Sequence, residues 1–252
     1  WRNILTFNRI FAEKHNINVM AGQEMSQSHW ETQVSNATGY LSNSAQDPSA
    51  GNINLSSGTG MQNDNSILSY FGRAFYSYDD RYLLTATIRR DGSSKFADNN
   101  RWGWFPSAAL AWKISNESFL KGNPVINNLK LRFGWGATGN NNTYNDYASS
   151  VLYATGQNYA FNNMLTSAIY NSQIGNRNLK WETTYQTNIG LDFGFFNNRI
   201  NGEIDIYNKD TKDLLLYAEV PGSLGFSSVQ QNIGSINNRG LEFSINTVNF
   251  VG

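Results

Sequence analysis

The chain has 252 residues, no formal net charge and no cysteine, which excludes a strongly basic nucleic-acid surface, a disulfide scaffold and any thiolate metal site. Charged residues make up only 15% and aromatics 14%, a balance that suits many strands joined by polar loops rather than a disordered tail or a helical bundle. No window approaches the roughly 18 consecutive apolar residues of a transmembrane helix, and a mean hydropathy of −0.48 is compatible with a membrane barrel, whose strands are only half apolar.

Nine strands are expected, near residues 1–11, 17–35, 66–78, 81–92, 102–115, 128–139, 178–196, 199–218 and 232–249. The chain opens inside a strand-like run, Trp1 to Phe7, with no initiator Met or signal peptide, and stops just past another strand. The expectation is a segment of a longer protein. In the third run Leu68, Tyr70, Ala74 and Tyr76 alternate against a face that still holds Phe71 and Phe75. A tight turn at Asp79-Asp80 leads to the fourth, where Tyr82, Leu84, Ala86 and Ile88 oppose Thr85, Thr87 and Arg89. Alternate side chains of a strand lie on opposite faces, so one face is apolar and the other polar. In the fifth, Trp102, Trp104, Ala108, Leu110, Trp112 and Ile114 share a face. The sixth sets Leu131 and Phe133 against Lys130 and Arg132.

The seventh run is the clearest. Trp181, Thr183, Tyr185, Thr187, Ile189, Leu191, Phe193 and Phe195 lie on one side; Glu182, Thr184, Gln186, Asn188, Gly190, Asp192 and Gly194 lie on the other. After a turn at Asn197-Asn198, Ile200, Gly202, Ile204 and Ile206 oppose Asn201, Glu203, Asp205, Tyr207 and Lys209. Beyond Ile206 the apolar parity meets Asn208, Asp210 and Lys212, which implies a bulge or emergence from an apolar environment. Short connections (12–16, 79–80, 116–127, 197–198) alternate with longer ones (36–65, 93–101, 140–177, 219–231). Outer-membrane barrels show this asymmetry between periplasmic turns and extracellular loops. Trp102 and Trp112, like Tyr185 and Phe195, are ten residues apart. At about 3.3 Å per residue and a tilt near 40°, that is roughly 25 Å, the height of a barrel's lipid band between its aromatic girdles.

The run RRDGSSKF followed by RWGWFPSAALAWKIS resembles the SusC/RagA-like family of TonB-dependent outer-membrane transporters. LKLRFGWGATGN (129–140) and NIGSINNRGLEFSI (232–245) are similar to further barrel motifs of that family, in the expected order. The resemblance covers essentially the whole chain. It implies an all-β, antiparallel, up-and-down transmembrane barrel of 22 strands with a plug in its lumen. Residues 1–252 would be an open arc of about nine strands, since single-chain bacterial barrels have even strand numbers. It further implies TonB-dependent uptake of oligosaccharides or peptides, a SusD-like surface lipoprotein over the extracellular loops, TonB at the periplasmic side, and no enzymatic activity or cofactor. A passive porin or surface-binding barrel, and more distantly a secreted β-rich glycan-binding domain, would show similar strands.

Candidate lumen-facing residues are therefore Arg73, Arg89, Lys130, Arg132, Glu182, Gln186, Asp192, Glu203 and Asp205. Candidate lipid-facing residues are Trp102, Trp104, Leu110, Trp112, Leu131, Phe133, Tyr185, Ile189, Leu191, Phe193, Ile204 and Ile206. Lumen residues tune selectivity in barrels, or simply hydrate the lumen. Four other patterns point to chemistry less well. Gly134 to Gly139 spells G-x-G-x-x-G, but the Asn-rich run that follows has no helical period to present amides to a pyrophosphate, so a glycine-rich strand is expected. Glu203 and Asp205 lie near the spacing of a glycosidase acid-base pair, yet polar faces of barrels give the same pattern. His15 and His29 lack any metal or triad motif and are expected to be solvated. Asp91 to Ser94 lacks the further ligands of an EF-hand. Tyr144, Tyr147, Tyr153, Tyr159 and Phe161 in the long loops could stack on sugar rings or pack their own loop.

Overall fold

The computed structural model describes residues 1–42, 44, 47–52 and 57–250. Among these residues thirteen strands follow one another: β1 (Arg2–Phe11), β2 (His15–Asn36), β3 (Ser57–Tyr78), β4 (Tyr82–Ser93), β5 (Trp102–Lys113), β6 (Ile126–Asn140), β7 (Leu152–Phe161), β8 (Met164–Gln173), β9 (Glu182–Phe195), β10 (Ile200–Lys212), β11 (Leu215–Glu219), β12 (Ser228–Asn232) and β13 (Ser235–Thr247). Nine form one antiparallel sheet in the order β1-β2-β3-β4-β5-β6-β9-β10-β13, an up-and-down meander whose end strands each have one neighbour. Among the described residues there is no α-helix.

The nine strands of the large sheet match the nine expected ones, and the differences lie at the long-loop end. The 140–177 connection carries the hairpin β7–β8, and a second hairpin, β11–β12, stands between β10 and β13. Residues 57–65, expected to be loop, extend β3 against β2 from Asn36↔Ser57 to Ser28↔Asn65. That two-stranded arm runs past β4, whose pairing with β3 starts at Ile67↔Ser93, by about nine residues, roughly 30 Å. Both β7–β8 and the arm are mostly exposed on both faces; neither has a buried side, so neither carries the alternation that marks a strand. The expected ninth run is β13, starting three residues later at Ser235, with β12 formed almost wholly from residues expected as loop; the eighth ends at Lys212, and Ile114 lies in a 3-10 turn after β5. The register of β10 with β9 runs unbroken from Ile200↔Phe195 to Lys212↔Thr183. There is no bulge at Asn208, so those polar residues continue the apolar face's parity beyond its apolar band.

Among the described residues nothing forms a second layer over the sheet's apolar face. Trp104 is 58% exposed and Leu131 42%. Only Phe96, Phe105, Ala137, Ala148, Leu179 and Trp181 are buried apolar residues among those described. The accessible surface is 17222 Å², against roughly 11,200 Å² for a compact soluble monomer of this mass. A water-soluble sandwich would bury its apolar parity instead.

The turns at the short-connection end force a left-handed backbone. Asp79 and Asp80 have φ of 52° and 50°, and Asn197 and Asn198 φ of 58° and 60°, conformations that Asn and Asp tolerate. Ala12 and Glu13, between β1 and β2, adopt φ of 48° and 59° without that tolerance. Ala12→Asn with Glu13→Gly is expected to stabilise the full-length receptor by about 1 kcal/mol, read as a higher guanidinium midpoint in vesicles; an unchanged or lowered midpoint would contradict the strain.

Glu117 closes the same end. It is 7% exposed and accepts hydrogen bonds from Tyr82 Oη (2.6 Å), Arg81 Nη1 (2.9 Å) and Trp112 Nε1 (3.0 Å). The Tyr82 hydroxyl, then the Trp112 indole and Arg81, hold its carboxyl below the ordinary glutamate pKa. A carboxyl depressed on folding contributes stability that is complete above its unfolded pKa and lost as pH falls through the folded one. The pinning of this turn should therefore fail only below the usual glutamate range. Hydrogen exchange at 114–120 should rise there in the wild type, whereas Glu117→Gln should show fast exchange already at neutral pH. Equal exchange in both proteins at neutral pH would overturn this role.

Candidate functional site

Pairing register assigns the faces without ambiguity, because directly paired residues share a side. One row crosses all nine strands: Arg9, Ile17, Tyr76, Leu84, Leu110, Phe133, Ile189, Ile206 and Leu241. The adjacent row on the same face runs Tyr78, Tyr82, Trp112, Leu131, Leu191, Ile204 and Phe243. Trp102, Trp104, Tyr185 and Phe193 fall on this face too, so all twelve candidate apolar positions lie on one side. Aromatics collect at its two edges. Tyr78, Tyr82 and Trp112 stack in series at the short-turn end, with centroids 6.4 Å apart at each step. Tyr70 stacks on Trp102 at 6.1 Å toward the long-loop end. His15 does not stand alone in solvent: its Nδ1 is 2.8 Å from Tyr76 Oη and its ring lies 5.0 Å from that of Tyr78.

The nine candidate polar residues share the opposite face. Arg73, Thr87, Ser107, Gly136, Gln186, Lys209 and Asn238 form one row of it. At its centre, β6, β9 and β10 assemble an ion network. Arg132 Nε donates to Asp192 Oδ1 (2.7 Å) and Nη2 to Asp205 Oδ2 (2.9 Å); Glu203 lies 3.7 Å away and Lys130 Nζ is 3.3 Å from Asp192. Arg132, Gly190 and Asp205 are consecutive in one row. A Cβ on Gly190 would sit 2.4 Å from Asp205 Oδ1 and 2.7 Å from Arg132 Cζ, so the glycine is what lets an arginine reach across a whole strand. Glu203 and Asp205 are thus partners of one guanidinium rather than a free acid-base pair. Glu182 accepts from Asn140 Nδ2 (3.1 Å) and from the Leu215 amide (3.1 Å), joining the sheet to the β11–β12 hairpin. Arg73 has no ion pair among the described residues.

A second cluster centres on Arg89, whose Nε donates to Asp91 (2.7 and 2.9 Å) and Nη2 to Ser69 Oγ (2.8 Å), with Glu24 at 3.9 Å. The Phe71 ring lies over Gly22 and between Arg89 and Arg2, at 5.6 and 5.7 Å. Sequence reasoning found Arg89 but missed Glu24, Ser69 and Asp91. Asp91 follows Arg89 by two on the same face of β4, a spacing the sequence carries, whereas only the pairing of β2, β3 and β4 brings Glu24 and Ser69 to them.

The long-loop end is a folded platform. Phe96, Phe105, Ala148, Leu179 and Trp181 form its core, with Trp181 5.5 Å from Phe96 and 5.3 Å from Phe105. Trp181 was expected on the apolar face. Instead it precedes β9, is 8% exposed and donates through Nε1 to Arg101 O at 2.9 Å; the alternation does not extend past the strand's end. Ion pairs and amide bonds staple the loops: Lys95–Asp146 at 3.1 Å, and Asn65 Nδ2 to Asp146 and Asn141 Nδ2 to Ser93 at 3.0 and 2.9 Å. Two open concavities of about 550 and 470 Å³ lie here, one of mixed lining against β11–β12 around Asn176, Lys180, Asp213 and Val229, the other around Phe96, Asp98 and Arg177. Tyr144 packs edge-on against Tyr217 (5.4 Å), Tyr159 lies beside Phe161 (6.4 Å) and Tyr147 Oη accepts from the Asp64 amide (3.3 Å). Of these three tyrosines only Tyr159 finds its partner in its own hairpin, Tyr144 and Tyr147 reach β11 and β3, and Tyr144, Tyr153 and Phe161 remain largely exposed. His29 Nδ1 is 2.7 Å from Asp64 Oδ1, a carboxylate partner that no motif marked. Among the described residues no three His, Asp or Glu side chains converge as a metal site. The G-x-G-x-x-G run lies wholly within β6.

A meander with one apolar face rimmed by aromatics, one ion-paired face and its three longest connections at one end is a sheet of the transmembrane β-barrel type. Residues 3–250 match the family described as TonB dependent receptor-like, beta-barrel. The chain is 50% identical over 186 residues to the TonB-dependent receptor SusC of Bacteroides thetaiotaomicron, covering 72% of this chain and 18% of that protein. It is 38% identical over 244 residues to the TonB-dependent receptor P39 of Formosa agariphila, covering 96% and 23%. Among solved structures, that of the RagAB peptide transporter superposes with a TM-score of 0.88 at 30% identity, over all of this chain and 27% of that one. A siderophore receptor, PirA from Acinetobacter baumannii, shares the fold at 14% identity and a TM-score of 0.58. The chain belongs to the TonB-dependent receptor β-barrel family, in its SusC/RagA-like branch. It spans about a fifth to a quarter of the length of these curated relatives.

Proposed function

We propose that this chain is part of the wall of a larger, 22-stranded barrel in a bacterial outer membrane, with its apolar face against lipid and its polar face toward a lumen that holds a plug. The whole receptor imports oligosaccharides or peptides, driven by TonB from the periplasm, with a SusD-like lipoprotein over the long-loop end. The single observation that carries this is the pair of faces: an uncovered apolar side of bilayer height behind an ion-paired polar side, in a chain of this family. Likeness to SusC and to a peptide transporter supports the two substrate classes. The wall itself binds and guides; Arg132 and Arg89 hold Asp192, Asp205 and Asp91 in ion pairs.

The test is uptake by a strain deleted for the full-length gene. Import of the oligosaccharide or peptide should be lost, return with the intact gene, and stay absent when TonB is removed. Import that persists without TonB would favour a passive porin.

A further inference from the structure

Arg90 lies on the apolar face, paired with Tyr70 on β3 and Trp104 on β5. Its guanidinium sits 4.5 Å from the ring centroid of Trp102 and 5.2 Å from that of Trp104. Among the described residues it has no carboxylate at ion-pair distance, and its buried Nε has no hydrogen-bond partner. Lys212, on the same face, differs in having Asp210 at 3.4 Å. Beside Arg90 an apolar groove of about 300 Å³ runs toward Ile88, over Ala21 and Gly72. The groove exists because Gly72 contributes no side chain: a Cβ there would meet nothing closer than 3.9 Å.

A cation on a lipid-facing surface is tolerated near the interface and costly at the midplane. Indole rings at the headgroup level hold it there by cation–π attraction. What the site lacks is an anion, and a guanidinium takes phosphate in bidentate fashion.

We propose that Arg90 and this groove bind a membrane lipid whose phosphate headgroup carries net negative charge, at the long-loop surface, the headgroup on the guanidinium and one acyl chain along Gly72 and Ile88. The site rests on the lipid-facing assignment of the apolar face. Trp102 and Trp104 fix the guanidinium's plane, and the groove gives the chain a place that a free anion cannot use.

The experiment is native mass spectrometry of the full-length receptor, purified in detergent and titrated with dimyristoyl phosphatidic acid. The wild type should retain about one more phosphatidic acid than Arg90→Gln. Gly72→Leu, which keeps the cation and fills the groove, should lose the same lipid. Dimyristoyl phosphatidylcholine should be retained several-fold less, and excess inorganic phosphate should not compete. Equal retention by wild type and Arg90→Gln would overturn the proposal, as would competition by inorganic phosphate or unchanged retention by Gly72→Leu. Heat-modifiable gel migration confirms that each variant is folded. A spin label at Leu110 separates the two readings: relaxation by oxygen shows that the face meets lipid even where Arg90 binds none, whereas relaxation by a water-soluble nickel chelate shows that the face assignment itself has failed.

Discussion

Leu191→Lys is expected to destabilise the assembled barrel by roughly 2–4 kcal/mol, the cost of a lysine facing the middle of the bilayer, while Asn188→Lys is expected to leave assembly intact. The two positions are three residues apart on β9 and on opposite faces. Leu191 lies between Leu131 and Ile204 in the apolar row, and Asn188 between Gly134 and Tyr207 on the polar face. Hydropathy alone would score the two substitutions by side chain; only the pleat makes them differ. Folding of the full-length variants into vesicles, scored by heat-modifiable migration and guanidinium midpoint, checks this. Equal tolerance would refute the assigned faces.

Arg132→Met should cost about 1–3 kcal/mol, between the values for exposed and for buried pairs, because it removes the cation that three carboxylates share. Asp205 and Asp192 are the partners that matter: both are hydrogen-bonded to it and mostly shielded. Glu203 is 3.7 Å away with 58% of its side chain in solvent and should add little. Lys130 stays 3.3 Å from Asp192, so Asp205 is left without a cation. Adding Asp205→Asn to Arg132→Met should therefore recover part of the loss, a non-additivity that a double-mutant cycle measures. A single variant as stable as the wild type would mean that the network is ornamental to stability.

The faces were legible from sequence wherever a strand separates two unlike environments. Tyr185 to Phe193 and Tyr82 to Ile88 alternate because one neighbour must be apolar and the next polar, and register gathers the residues of each parity on one face of the sheet. Where both faces meet the same surroundings the signal vanishes. The β2–β3 arm and the β7–β8 hairpin are mostly exposed on both sides, and a strand with no buried face leaves no period to read. Trp181 misled for a related reason: parity is a property of paired strand, and the residue sits one position before it. The ion network was half legible. Arg132, Asp192 and Asp205 were chosen singly for their polar parity, but their convergence depends on Gly190 lying between two of them in a row, a fact of register across three strands.

The account stands or falls on whether alternate residues of β9 touch hydrocarbon. Nitroxide labels placed one at a time from Gln186 to Asp192 in the full-length receptor, reconstituted in lipid vesicles, measure this through collision with oxygen, which concentrates in the bilayer, and with a water-soluble nickel chelate. Oxygen contact should peak at Thr187, Ile189 and Leu191 and fall at Gln186, Asn188, Gly190 and Asp192. A profile without that two-residue period, or one with nickel contact at Ile189 and Leu191, would contradict it.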